Sequence, residues 1–166
     1  QIGPVIDAEA QEKILSLVRI AEKEGVILAQ GKNPPENGYF VSPVLVGGID
    51  PHSVLAQEEI FGPVVTVVEA KNFEHAVEIA NDTKYGLSSA IYTQDVNNAA
   101  RAEKELKTGI VYVNAPTIGA EVHLPFGGVK ASGSGHPEAG GRGGAIDTYS
   151  RVKVIYRDYS GKLQRA

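Results

Sequence analysis

Residues 57–81 read QEEIFGPVVTVVEAKNFEHAVEIAN, and the fold turns on how that stretch divides. VVTVVEA, at 64–70, is a run of β-branched residues behind a Gly62-Pro63 turn, which is the composition of a strand. FEHAVEIAN then switches to helical spacing, with Phe73, Ala76, Val77 and Ala80 on one face. A strand handing over to a helix is the repeating unit of α/β folds, because the helix carries the chain back across the sheet.

The alternation continues downstream. DTKYG makes a turn, LSSAIYT a strand, and Asp95 is placed to cap VNNAARAEKELK, which Gly109 ends before a last strand, IVYVNA. An α/β fold follows, with a parallel or mixed sheet flanked by helices. Upstream, residues 7–24 form an amphipathic helix: Asp7 is its N-cap, Gly25 its stop, and Ile14, Leu17, Val18 and Ala21 its apolar stripe. VILA at 26–29 reads as a strand and KNPPENG at 32–38 as a loop. YFVSPVLV at 39–46 is extended, with Pro43 placing it at an edge or making it irregular. The chain opens on QIGPVID without a strand, so the first helix is expected to find part of its packing upstream, as the continuation of something longer.

Beyond Pro116 the texture changes. Residues 116–144 are rich in glycine and poor in aliphatic anchors, the mark of a functional or disordered loop. SRVKVIYRD then alternates Val152, Val154 and Tyr156 with Arg151, Lys153 and Arg157. That pattern predicts a half-exposed strand over 151–157, suited to pairing with a sheet of a partner subunit. The division expected is 1–144 for a main domain and 145–166 for an oligomerisation strand and tail.

Composition narrows the function classes. The 166 residues, 42% hydrophobic and 22% charged, suit one soluble globular domain. A net charge of −4 offers no basic stripe for a nucleic-acid backbone. No apolar run approaches membrane-spanning length and nothing at the start resembles a signal peptide; the compartment expected is cytoplasmic. Without cysteine there is no disulfide, thiolate ligand or thiol nucleophile in these residues. His52, His75, His123 and His136 lack ligand spacing, so no metal site is expected. SGSGHPEAGGRGG tempts as a nucleotide loop, but Glu138 stands where GxGxxG needs its third glycine after Gly133 and Gly135. Neither a P-loop nor a GxSxG elbow occurs. NDT at 81–83 is a formal glycosylation sequon, and Asn81 reads better as a helix cap.

Two adjacent carboxylates remain, Glu58 and Glu59. If residues 57–61 enter a strand, Glu59 and Phe61 share a face and Glu58 points the other way. A carboxylate beside an aromatic ring can hold a sugar, accepting hydrogen bonds from vicinal hydroxyls while the ring packs on the apolar side. The plainer reading is a solvated strand rim with Phe61 in the core.

EEIFGPVV, NDTKYGLSSAIYT, TGIVYVN and PFGGVKASGSG, in this order, together with the opening GPVID, KILSLV, AEKEGVILAQG and GYFVSPVL, resemble the C-terminal third of the aldehyde dehydrogenase superfamily. The resemblance implies that Glu59 binds the ribose hydroxyls on the nicotinamide side of NAD or NADP, with Phe61 near the nicotinamide. It places Ile118, Gly119, Ala120 and Phe126 around the aldehyde pocket, and Val152, Val154 and Tyr156 at a subunit interface of a homo-oligomer. GAE-like loops occur in relatives that oxidise carboxylate-bearing semialdehydes. The chain departs from the family pattern at GHPEAG, with Pro137 where many relatives carry arginine. Family chemistry needs a cysteine nucleophile, a general base and a cofactor-binding domain, all expected upstream of Gln1, so these residues alone are expected to be inactive. The alternatives left open are a stand-alone, non-catalytic oligomerisation module and an acylating or phosphate-reducing relative of the same fold.

Overall fold

The Asp7 carboxylate accepts the Ala10 N–H at 2.8 Å, and α1 runs Ala8–Glu24 behind it. The computed structural model describes residues 2–32, 34–119, 121–133, 139–140 and 144–162. Ile14, Leu17, Val18 and Ala21 are all buried, as the spacing predicts. Their cover is internal, however: Val41, Val44, Val46, Ile49, Leu55 and Ile60 complete the cluster. The expectation that this stripe looks upstream for its packing is therefore corrected.

Gly25 ends α1 for reasons of space rather than handedness. Its φ of −139° is extended, but a Cβ there would stand 2.5 Å from Ile49 Cδ1 and 2.6 Å from the Gly47 carbonyl oxygen. The bare backbone lets the chain pass directly into β1, Val26–Gln30, antiparallel to β2, Val44–Gly47. Of the two outcomes expected of Pro43, the edge is not found, since β2 is the central strand of its sheet, while residues 39–43 are irregular. Pro43 stands just before the ladder, so its missing N–H costs no strand bond, and its carbonyl accepts from Gly31 at 2.8 Å.

Ser53 caps a one-turn helix, α2, Val54–Gln57, too short for periodicity to reveal. β3, Val64–Thr66, then lies parallel to β2. It is shorter than VVTVVEA suggests because β2 ends at Gly47, and Gly48 turns away with φ +70°.

The second half holds α3, Phe73–Asn81, β4, Ser88–Ile91, α4, Val96–Glu105, and β5, Ile110–Val113. β4 and β5 form a separate parallel pair. Asn72 caps α3 and Asp95 caps α4. Of the stripe expected on α3, Phe73 and Val77 are half-buried while Ala76 and Ala80 are exposed. Arg101 clasps the two helices, 4.4 Å above the Phe73 ring and bonded to Glu74 at 2.7 Å and Glu105 at 3.0 Å.

Residues 151–157 do not form a strand within the chain. Val152, Val154 and Tyr156 are exposed, as are Arg151, Lys153 and Arg157 between them. A strand exists through ladder bonds, and no edge of the chain's own two sheets supplies them here among the described residues.

Gly25→Ala should destabilise the protein by about 1–3 kcal/mol through overpacking. Gly3→Ala, with open space around it, should change stability by no more than about 0.5 kcal/mol, both read from denaturant midpoints. A second expectation concerns acid. The hydrogen bond from Arg101 is the main cause that holds the Glu74 carboxyl below its ordinary 4.5. A lowered folded value means stabilisation present above that ordinary pH and lost as pH falls through the lowered one. Glu74→Gln should therefore flatten the acid side of the melting-temperature profile and leave its alkaline side unchanged.

Candidate functional site

The strand anticipated at 57–61 is not there. Gln57 closes α2, and Glu58 is its extended C-cap, with φ −103° and ψ 148°. Ile60 is buried in the core cluster. Gly62 lies so close to α1 that a Cβ would meet Ile14 Cδ1 at 2.5 Å. With residues 60 and 62 both seated on α1, Phe61 is driven outward and takes a left-handed backbone, φ +57°. Its ring is 80% exposed, which overturns the reading that puts it in the core. Left-handed backbone costs a non-glycine residue roughly 1–2 kcal/mol. An exposed aromatic held at that cost is the kind of strain found where a ring serves a ligand.

The two carboxylates have different partners. Lys84 Nζ donates to both oxygens of Glu58, at 2.7 and 2.9 Å. That bond is the main reason the Lys84 ammonium is held above its usual range. Lys84 also lies 5.2 Å from the centre of the Tyr85 ring. Glu58 is thus more than a wet rim. Glu59 is exposed, and among the described residues its carboxylate has neither a hydrogen bond nor an ion pair. Only its backbone carbonyl is engaged, by Lys13 Nζ at 3.4 Å.

Two clefts open beside this turn. One, of about 480 Å³, is bordered by Leu55, Glu58, Glu59, Phe61, Ile79 and Asp82. The other, of about 640 Å³, runs from Glu58 and Glu59 to Tyr85, Ser89, Thr108 and Ser132. Each draws its walls from both halves of the chain. A free carboxylate and an exposed ring at the mouth of such a cleft suit a polyhydroxylated ligand.

The loop expected around an aldehyde leaves the carboxyl end of β5. Asn114, at φ +53°, pairs its side-chain amide with the Thr93 backbone at 2.8 and 3.0 Å, joining the ends of β4 and β5. The Tyr112 hydroxyl donates to the Gly119 carbonyl. Ile118 is 90% exposed, and Gly119 has open space around it. Phe126 is half-buried, bridged through its backbone to Ala139 at 2.7 and 3.1 Å. None of these three borders either of the two clefts beside Glu59. Ala120 and Pro137 lie outside the described residues.

Sequence reasoning missed the residues that lock this loop to the cleft. Asn81, read as a cap for its own helix, instead closes the next one: Nδ2 donates to the Glu105 carbonyl at 2.8 Å and Oδ1 accepts the Lys107 N–H at 2.7 Å. Lys130 Nζ donates to the carbonyls of Asn81 at 2.8 Å and Thr83 at 3.1 Å, capping the end of α3. The Gly86 carbonyl accepts from Gly109 at 3.0 Å and Val129 at 2.9 Å. The lysines and glycines stand in the motifs, but only the fold shows which carbonyls they reach.

The family model for the aldehyde dehydrogenase family matches residues 1–155. The 1-pyrroline-5-carboxylate dehydrogenase 1 of Halalkalibacterium halodurans is 44% identical over 141 residues, 84% of this chain and 27% of that protein. The alpha-ketoglutarate semialdehyde dehydrogenase of Haloferax volcanii is 40% identical over 164 residues, 96% of this chain and 34% of that one. Among solved structures, a Thermus 1-pyrroline-5-carboxylate dehydrogenase with bound NAD superposes with a TM-score of 0.74 at 41% identity, over 77% of this chain and 25% of the other. A betaine aldehyde dehydrogenase from Staphylococcus aureus in complex with NAD+ gives 0.76 at 36%, over 86% and 28%. The chain thus spans 27% and 34% of the two curated relatives' lengths.

Phe61→Gly should leave the denaturant midpoint within about 1 kcal/mol of wild type, since relief of the left-handed backbone offsets glycine's entropy. A loss well beyond that would place the ring in the packing rather than at a ligand surface.

Proposed function

Because the chain belongs to the aldehyde dehydrogenase family, we propose that it works as part of a longer NAD- or NADP-dependent enzyme that oxidises an aldehyde to a carboxylic acid. The observation that carries this reading is the free carboxylate of Glu59 next to the outward ring of Phe61. The residues fit the nicotinamide-side ribose: the carboxylate accepts from two vicinal hydroxyls, and the ring offers an apolar face beside them. The dinucleotide, when bound, supplies the hydride acceptor. Glu59 orients it and Phe61 limits its movement; both contacts are to groups that NAD and NADP have in common.

The nucleophile and general base are assigned to the remainder of the polypeptide, as these 166 residues contain no cysteine. By themselves they bind and orient without reacting. A semialdehyde bearing a carboxylate is the substrate class we favour. The Haloferax volcanii relative is named for such a compound, and Ile118 is exposed with open space beside Gly119. Residues 1–144 then belong to the catalytic domain, and Val152, Val154 and Tyr156, exposed in the single chain, add a strand to another subunit.

Glu59→Gln in the full-length enzyme tests this reading. Losing a charge-assisted bond to the ribose should raise the cofactor KM, or lower kcat at the hydride-transfer step, by about tenfold. Glu103→Gln, on the exposed side of α4, should change neither. Unchanged kcat and cofactor KM in Glu59→Gln would remove the ribose assignment.

A further inference from the structure

The half of the chain that carries Glu59 and the half that carries the β5 loop are joined at one place. Among the described residues, the polar contacts between residues 2–69 and 71–162 all run from 52–58 to 82–84. Gln57 Nε2 donates to the Asp82 carbonyl at 2.6 Å, and His52 Nδ1 lies 3.3 Å from the Asp82 carboxylate. Lys84 holds both oxygens of Glu58, at 2.7 and 2.9 Å. Elsewhere the halves face each other across the two clefts.

These links are not equivalent. The Gln57 bond is neutral, and the His52 contact is an ion pair only when the ring is protonated. The Lys84 pair is charge-assisted and two-pointed, so it fixes the rotation of the carboxylate as well as its place. It also acts on the residue next to Glu59. Its far end is anchored too, since the Lys84 carbonyl accepts the Ala131 N–H at 2.9 Å. Beside it, Gly86 N–H donates to Ser132 Oγ at 3.0 Å, and Lys130 reaches back to the carbonyls of Asn81 and Thr83. Lys84 therefore touches the turn that carries Glu59 with its side chain and the glycine-rich loop at 127–133 with its backbone.

We propose that Lys84 is a positioning residue: by holding Glu58 it sets the direction of Glu59, and it registers that edge against the loop leading from β5. The proposal rests on the reading that Glu59 receives the cofactor's ribose. The pair has a second effect. Adjacent carboxylates on an exposed turn compete for the same cation, and Lys84 taken up by Glu58 leaves the Glu59 charge free for hydroxyls.

The experiment uses the full-length enzyme with Lys84→Ala, Lys84→Arg and the exchanged pair Lys84→Glu/Glu58→Lys, beside Glu59→Gln. Melting temperature, aldehyde KM, cofactor KM and kcat are measured at about 50 and 500 mM salt, where exposed pairs are weakly and strongly screened. Lys84→Ala should raise cofactor KM about three- to fivefold with aldehyde KM and melting temperature unchanged, a size in keeping with an exposed pair. Lys84→Arg and the exchanged pair should return it to within about twofold of wild type, because either restores a cation opposite a carboxylate. The wild-type cofactor KM should rise more steeply with salt than that of Lys84→Ala. If Lys84→Ala leaves cofactor KM and its salt dependence at wild-type values while Glu59→Gln raises KM, Lys84 is only surface charge and the proposal falls while the ribose reading stands. If Lys84→Ala lowers melting temperature and raises both KM values, with no recovery in Lys84→Arg, the role is structural and the proposal again falls. If Glu59→Gln is silent, the ribose reading fails and the proposal with it.

Discussion

A side chain at position 62 would stand 2.5 Å from Ile14 Cδ1, and the geometry of the site depends on that close approach. Ile14 is 1% exposed and sits at the centre of the core, so it cannot give way. The backbone must come to it at Gly62, and buried Ile60 holds the other side. One residue separates these two fixed points. It cannot go inward, so Phe61 turns out on a left-handed backbone. An apolar contact deep in the first half thus determines the exposure of a ring at the surface, and the same turn carries Glu59.

The second half is built around backbone rather than side-chain packing. Gly109 comes so near Gly127 that a Cβ would fall inside the carbonyl oxygen's contact distance. Gly86 binds Gly109, Val129 and Ser132 at once. Two lysines, 84 and 130, join these loops to the ends of α2 and α3. Where apolar cover is thin, hydrogen bonds made by backbone groups define position, and glycine is what lets those groups meet. These contacts order the glycine-rich backbone around residues 127–133.

Two neighbouring carboxylates of this chain meet different surroundings. Glu58 ties the turn to the rest of the chain, and the Glu59 carboxylate has no partner among the described residues. Adjacent residues of one type can differ this much because an extended backbone sends successive side chains in different directions. Only the position of Lys84, 26 residues away in sequence, decides which of the two is occupied.

Local order was legible wherever one element carried enough pattern. The α1 stripe, the caps at Asp7 and Asp95, and the strand–helix alternation after Gly62 all stand as read, because period and capping are properties of a few successive residues. The family motifs were legible for a related reason: each is a short run whose residues act together. What failed in the reading were statements about neighbours. Pro43 does not push β2 to an edge, Asn81 caps a helix other than its own, and residues 57–61 do not form a strand. The sequence by itself determined the longer elements, their order and the presence of two candidate carboxylates. Only the tertiary structure decided which carboxylate is free and which way Phe61 faces, because both follow from contacts between segments distant along the chain.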